Sequence, residues 1–181
     1  EIIKDRPWSE LLIMAKRGEL DLFSCLNATT ERDKYLNFSL PYVSNPTVII
    51  NATRNGYIGS VEKLAGKVVA IEKGYYTHDR LVESYPEIQL LAVNTTTEAL
   101  HKVSTGEADA YIGDAAYADY TIKKANLLNL QFTGEALGLS SYRIGVTKEN
   151  PELLSIINKA LNSIEHQELR QEQILFLIFF D

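Results

Sequence analysis

The spacing of apolar positions changes along the chain, and each change marks an element. Leu11, Leu12 and Ala15 recur at helical spacing, from Ser9, which can cap, to Gly18, which stops the helix after Lys16 and Arg17. LDLFSCL (20–26) is a short apolar run of the kind that buries as a strand. A polar loop, NATTER, follows, with the aromatic segment YLNFSLPY behind it. TVIINAT (47–53) is β-branched and apolar and reads as a strand.

From Val61 onward strands and helices alternate. KVVAIEKG is a strand closed by Gly74, THDRLVESY a helix ended before Pro86, and IQLLAV a strand. TTTEALHKVSTG reads as a helix with a capping box at Thr95 and Glu98, stopped by Gly106. ADAYIG is a strand running straight into the helix DAAYADYTIKK. This βαβαβα order predicts an α/β fold with a parallel sheet and helices on its faces. SSYRIGVTK adds a strand. In NPELLSIINKALNSI, Asn150 caps, Pro151 takes the first turn, and Leu153, Ile157, Ala160, Leu161 and Ile164 line one face.

Composition narrows the choices. A net charge of −6 over 181 residues argues against nucleic acid as a partner, because phosphate binding needs a basic face. One cysteine, Cys25, excludes an internal disulfide framework and any cysteine-only metal site. The three histidines, His78, His101 and His166, lack metal-ligand spacing and read as surface residues, so neither metal nor cofactor is expected. There is no G-x-S-x-G, no phosphate-binding glycine loop and no evident carboxylate pair. No secretory leader opens the sequence, and the closing ILFLIFF is too short to span a membrane. The pattern favours binding over catalysis.

Four places carry candidate chemistry, each with an ordinary alternative. Arg32 offers a planar fork for a carboxylate, with Asn27 and Thr29 in phase beside it; the alternative is a solvated turn. Asp114 ends a strand and begins a helix, where it can hold an ammonium or simply cap. Gly74, Tyr75 and Tyr76 stand at another strand's carboxyl end, either as a ligand platform or as a turn with surface aromatics. Trp8, the single tryptophan, can staple the first helix or stack on a ligand.

Taken in order, W-S-E-L-L…G-E-L-D-L, T-x-E-R…Y-L-x-F-S-x-P-Y, L-A-G-K-V-V-A-I-x-K-G-Y-Y…Y-P and T-G-E-A-D-A-Y-I-G-D resemble the family 3 solute-binding proteins. These have the type 2 periplasmic-binding, or Venus-flytrap, fold. The GYY, YP and EADAYIGD variant is most similar to the periplasmic sensor domains of bacterial hybrid histidine kinases. The resemblance runs from about Trp8 to about Ile164.

The resemblance implies roles for these residues. Arg32 would clamp a ligand α-carboxylate and Asp114 would grip its α-amino group, one from each lobe. Trp8 would pack on the ligand, and Asn27 stands where the family's amino-acid binders have a hydroxyl residue. Tyr75 and Tyr76 replace the hydroxyl and small residues usual in transport-type members after the second-lobe glycine. The first lobe would comprise 1–42 and 143–181, the second 47–137, with crossovers near 42–46 and 138–142. One leading βα unit of the first lobe is missing from this sequence, and EQILFLIFFD departs from the family's polar end; it is a candidate to cover the surface so exposed.

The implied function is an extracytoplasmic, periplasmic sensor domain. It would close on a small amino-acid-like or carboxylate ligand and signal to a membrane-linked histidine kinase. The alternative is the solute-binding protein of an amino-acid ABC importer, partnered by its permease. A dehydratase-type enzyme on the same fold is the third reading, for which no poised acid or base is found, so the chain is read as a non-enzyme.

Overall fold

A computed structural model describes residues 2–3 and 6–164. The chain divides into two compact units, Glu1–Ser44 with Ser141–Asp181, and Asn45–Ser140, so it passes between them twice, after Ser44 and after Ser140.

In the first unit, helix α1 (Trp8–Lys16) is followed by strands β1 (Leu22–Leu26) and β2 (Leu36–Phe38). Both strands pair antiparallel with the far end of the long strand β7 (Leu130–Thr147): Leu22 lies opposite Val146 and Leu36 opposite Thr147. Helix α5 (Pro151–Ser163) closes the described part of the unit. Among the described residues its core includes Ala15, Phe23, Leu26 and Leu36, with Trp8, Leu11, Leu12 and Leu20 packed on it.

Two expected caps are not made. The N-cap of α1 is Pro7, whose carbonyl accepts from the Glu10 and Leu11 amides, so Ser9 lies inside the first turn instead of ahead of it. Proline suits that boundary, since it needs no donor and its ψ of 144° is extended. The Asn150 side chain likewise caps nothing in α5, although Pro151 takes the first turn as expected. Gly18 does stop α1: with φ at +71° it donates to the Ala15 carbonyl while Glu19 donates to Met14, the Schellman arrangement. Of the α5 stripe, Leu153, Ile157 and Leu161 are half-buried while Ala160 and Ile164 are exposed. The apolar side is instead completed by Leu154. EQILFLIFFD lies outside the described residues.

The second unit holds a sheet ordered β7-β3-β6-β4-β5. Its strands are β3 (Val43–Ala52), β4 (Val68–Glu72), β5 (Gln89–Val93) and β6 (Ala110–Asp114), with the first half of β7. β4 pairs parallel with β5 and with β6, as the alternation predicts, whereas β3 runs antiparallel to β6. Helices α2 (Tyr76–Ser84), α3 (Thr96–Thr105) and α4 (Ala115–Lys124) connect them.

Side chains alternate between two buried faces. Val48, Ile50, Ala70 and Tyr111 face one cluster with Leu100 and Val103 of α3. Ile49, Val69, Ile71 and Ile112 face the other with Leu81 of α2. Burial of each such Val, Leu or Ile stabilises by about 1.5–3 kcal/mol, and burial on both faces explains why these strands read as continuous apolar runs.

Two strands are longer than their apolar runs. β3 begins at Val43, straight through Pro46, and β7 begins at Leu130, ten residues before SSYRIGVTK. Its first half carries Gly134 and Gly138, which hide the strand pattern. Gly134 is required there, because a side chain would meet the Gly59 carbonyl oxygen at 2.6 Å.

Candidate functional site

In the first unit Trp8, Asn27, Thr29 and Arg32 come together. A short 3-10 turn, Arg32–Lys34, carries the arginine. Thr29 shapes this turn: its hydroxyl accepts from the Arg32 amide at 3.2 Å and its carbonyl accepts from the Asp33 amide at 2.9 Å. The Arg32 guanidinium donates to the Asn27 carbonyl at 2.6 Å and lies 5.6 Å from the centroid of the Trp8 ring. Trp8 in turn meets Phe23 edge-on at 5.3 Å.

Arg32 is only 3% exposed, which a solvated turn arginine would not be. The Thr29 hydroxyl therefore fixes the backbone that carries Arg32, while the Asn27 carbonyl and the Trp8 face from α1 orient the buried cation. Asn27 and Thr29 are both engaged by the protein itself, Asn27 through an amide that donates to the Ser141 carbonyl at 3.0 Å. Trp8 is the first residue of α1, not the residue preceding its cap, so it packs beneath the guanidinium and makes no staple.

In the second unit the remaining candidates stand at one edge of the sheet, since β4 and β6 are adjacent and parallel. Gly74, with φ at +78°, turns the chain out of β4, and Tyr75 takes the N-cap position of α2 without a side-chain cap. Tyr76 is half-buried and faces its own helix, where its hydroxyl accepts from Arg80 at 3.1 Å. Asp114 ends β6. Its Oδ1 caps α4 by accepting from the Tyr117 amide at 2.9 Å, and its Oδ2 accepts from the Asn45 amide at 2.8 Å. Carboxyl ends of strands are where open α/β sheets present their ligand-facing loops. Of the histidines, His101 is exposed, His78 is half-buried rather than fully on the surface, and His166 lies outside the described residues.

Just behind this edge is a polar cluster that the sequence did not reveal. Glu72, the last residue of β4, is 1% exposed; its Oε1 accepts from Tyr111 at 3.0 Å and from the Thr96 hydroxyl. Oε2 has no hydrogen-bond partner. Burial raises the Glu72 pKa, and the hydrogen bonds from Thr96 and Tyr111 only partly oppose it. Burial also raises the Tyr111 pKa, with the adjacent Glu72 adding to it, so both groups favour their neutral forms. Tyr111 folds back over Gly113, where a β-carbon would fall 1.9 Å from its hydroxyl. The glycine of AYIGD is the one local signal that a large side chain lies across the strand. Among the described residues no group of acids, histidines and cysteines could hold a metal ion.

Two α/β units joined by two chain crossings, with charged residues held at loop and strand ends, define the binding-protein class of Venus-flytrap domains. The chain belongs to the bacterial extracellular solute-binding proteins, family 3, whose model matches residues 1–174. The virulence sensor protein BvgS of Bordetella pertussis is 31% identical over 171 residues, a match covering 93% of this chain and 14% of BvgS. The ABC transporter arginine-binding protein 1 of Escherichia coli is 28% identical over 80% of this chain and 60% of its own. The crystal structure of the periplasmic VFT2 domain of Bordetella pertussis BvgS superposes with a TM-score of 0.80 at 31% identity, covering 94% of this chain and 73% of that one. The chain thus spans about a seventh of BvgS and part of a single flytrap domain. Among the described residues no helix is long and apolar enough to cross a membrane.

Proposed function

We propose that this chain is the extracytoplasmic ligand-sensing part of a bacterial membrane sensor, and that its output is a histidine kinase or similar module. The two compact units are read as the two lobes of the flytrap. The ligand is a small amino acid or carboxylate. Arg32 takes its carboxylate, with Trp8 packed against the guanidinium and Asn27 and Thr29 holding the loop. Asp114 takes its ammonium, with Gly74, Tyr75 and Tyr76 shaping the contact. Ligand binding stabilises the closed form in proportion to its preference for that form. Similarity to BvgS favours the sensor reading, and the periplasm is the compartment it implies.

The observation that carries this reading is the burial of Arg32, at 3% exposure, in a loop that orients its fork. The Asn27 carbonyl and the Trp8 face hold the guanidinium in one orientation, and a bidentate carboxylate is a ligand group that such a planar fork suits. The test is a thermal-shift screen against amino acids and small carboxylates, with Arg32→Ala alongside. A ligand at a hundred times its dissociation constant adds about 2.7 kcal/mol of apparent stability. The expected outcome is at least one hit that Arg32→Ala abolishes; a hit that Arg32→Ala leaves unchanged, or a blank screen, overturns the reading.

Similarity to an arginine-binding transport protein supports the second reading, a solute-binding protein feeding an ABC importer. Sequencing the whole gene separates the two. A transmembrane helix and kinase in the same chain favour the sensor, and a lipid-anchored leader with no such module favours the importer.

A further inference from the structure

Each charged candidate contact is bonded, through an asparagine, to a place where the chain passes between units. In the first unit the Arg32 guanidinium donates to the Asn27 carbonyl at 2.6 Å, and the Asn27 amide donates to the Ser141 carbonyl at 3.0 Å. Ser141 is where the chain re-enters this unit. Its hydroxyl lies 3.0 Å from that of Ser44, the last residue before the chain leaves. Beside them the Tyr42 amide donates to the Tyr142 carbonyl at 3.1 Å. One short relay therefore runs from Arg32 to both crossing segments. In the second unit Asn45, the first residue after the crossing, donates its amide to Asp114 Oδ2 at 2.8 Å.

We propose that Asn27 and Asn45 are positioning residues that tie the ligand contacts to the chain crossings, so that filling a contact is felt at the crossing. This rests on the reading of Arg32 and Asp114 as ligand contacts given above. Asparagine suits the task because its amide donates without carrying charge. It can bond a carbonyl or a carboxylate without adding a charge beside either contact. These bonds are part-buried, where the lower dielectric strengthens them and makes an unmade partner costly.

A carboxylate arriving at Arg32 competes with the Asn27 carbonyl for the guanidinium. An ammonium arriving at Asp114 competes with the Asn45 amide for Oδ2. At Asp114 the displaced bond holds a crossing residue directly, and at Arg32 it is the first link of the relay that ends at Ser141. The ligand's binding free energy is thereby coupled to the conformation of the crossing segments.

The test is amide hydrogen exchange on the ligand-free chain, arranged as two double-mutant cycles. Arg32→Lys keeps the cation but loses the planar fork that reaches Asn27. Asn27→Ala cuts the relay beyond the Asn27 carbonyl and leaves that carbonyl in place. The expected result is that Arg32→Lys speeds exchange at Tyr42 and Ile144 by about fivefold, and adds nothing further in the Asn27→Ala background. The second cycle pairs Asp114→Asn, which keeps an acceptor for the α4 cap, with Asn45→Ala, and reads the amides of residues 45, 47 and 48.

Additive effects, or effects confined to 29–35 and 114–118, overturn the proposal. If Arg32→Lys does not fold, the Asp114 cycle decides alone. L-Arginine is the probe for a final arm. In the wild type it should alter exchange at the crossings, and in Asn27→Ala the same occupancy should leave the 139–145 segment unchanged. A failure of any amino acid to bind would remove the proposed ligand, while the ligand-free cycles would still decide the coupling.

Discussion

Glu72 is the residue whose surroundings most constrain its chemistry. It is buried at the end of β4 with one oxygen bonded twice and the other not at all. Its folded pKa lies above the ordinary 4.5, so the folded chain holds this proton more tightly than the unfolded chain does. The stability this contributes is complete below the unfolded value and is lost as pH rises from there through the folded value. Glu72→Gln cannot titrate. Urea midpoints measured from pH 4 upward should therefore shift in favour of Glu72→Gln relative to the wild type once pH passes the unfolded value and level off above the folded one, and a pH-independent difference would contradict this. Gly113 tests the same cluster from the other side. A methyl group there collides with Tyr111, so Gly113→Ala should cost about 1–3 kcal/mol. Tyr111→Phe, which only leaves Glu72 short of a donor, should cost about 1–2 kcal/mol.

At the level of elements, caps separate what local sequence specifies from what the surrounding chain decides. The Thr95 hydroxyl accepts from the Glu98 amide at 3.1 Å, and the Glu98 carboxylate accepts from the Asn94 amide. The box is thus closed one residue earlier than its usual form, but both side chains serve α3 as their spacing predicts. Thr95→Ala should cost about 1 kcal/mol. Ser9→Ala should cost less than about 0.5 kcal/mol, because α1 starts on the Pro7 carbonyl and not on a side chain. Paired melts of the two variants check this contrast, and equal losses would show that Ser9 supports the helix after all. The extra length of β7 and β3 was illegible for a similar reason: Gly134, Gly138 and Pro46 are poor strand formers locally, and only sheet pairing overrides them.

For the whole molecule, the proposed ligand contacts lie in two separately packed units, with Arg32 in one and Asp114 in the other. A zwitterion engaging both should slow amide exchange in 27–35 and in 74–76 together. Protection of one segment alone would restrict binding to that unit and contradict the proposed pairing of contacts. The measurement is hydrogen exchange with and without a hit from the thermal screen. Arg32→Ala should abolish protection of both segments, because the loss of one charged contact weakens the whole ligand.

The sequence by itself determined the period of the βαβ elements and their parallel core, because burial on two faces and turn chemistry act on neighbouring residues, and its ordered motifs carried the resemblance to the family. It also placed Arg32, Asp114 and the Gly74–Tyr76 turn at loop and strand ends. Only the tertiary structure decided that Arg32 is buried over Trp8, that Asn27 reaches Ser141 and that Asn45 holds Asp114. It also decided that Glu72, a glutamate in an apolar run, lies inside the protein. These contacts join residues between 24 and 114 positions apart. No local pattern encodes them, because each depends on which elements the packing brings side by side.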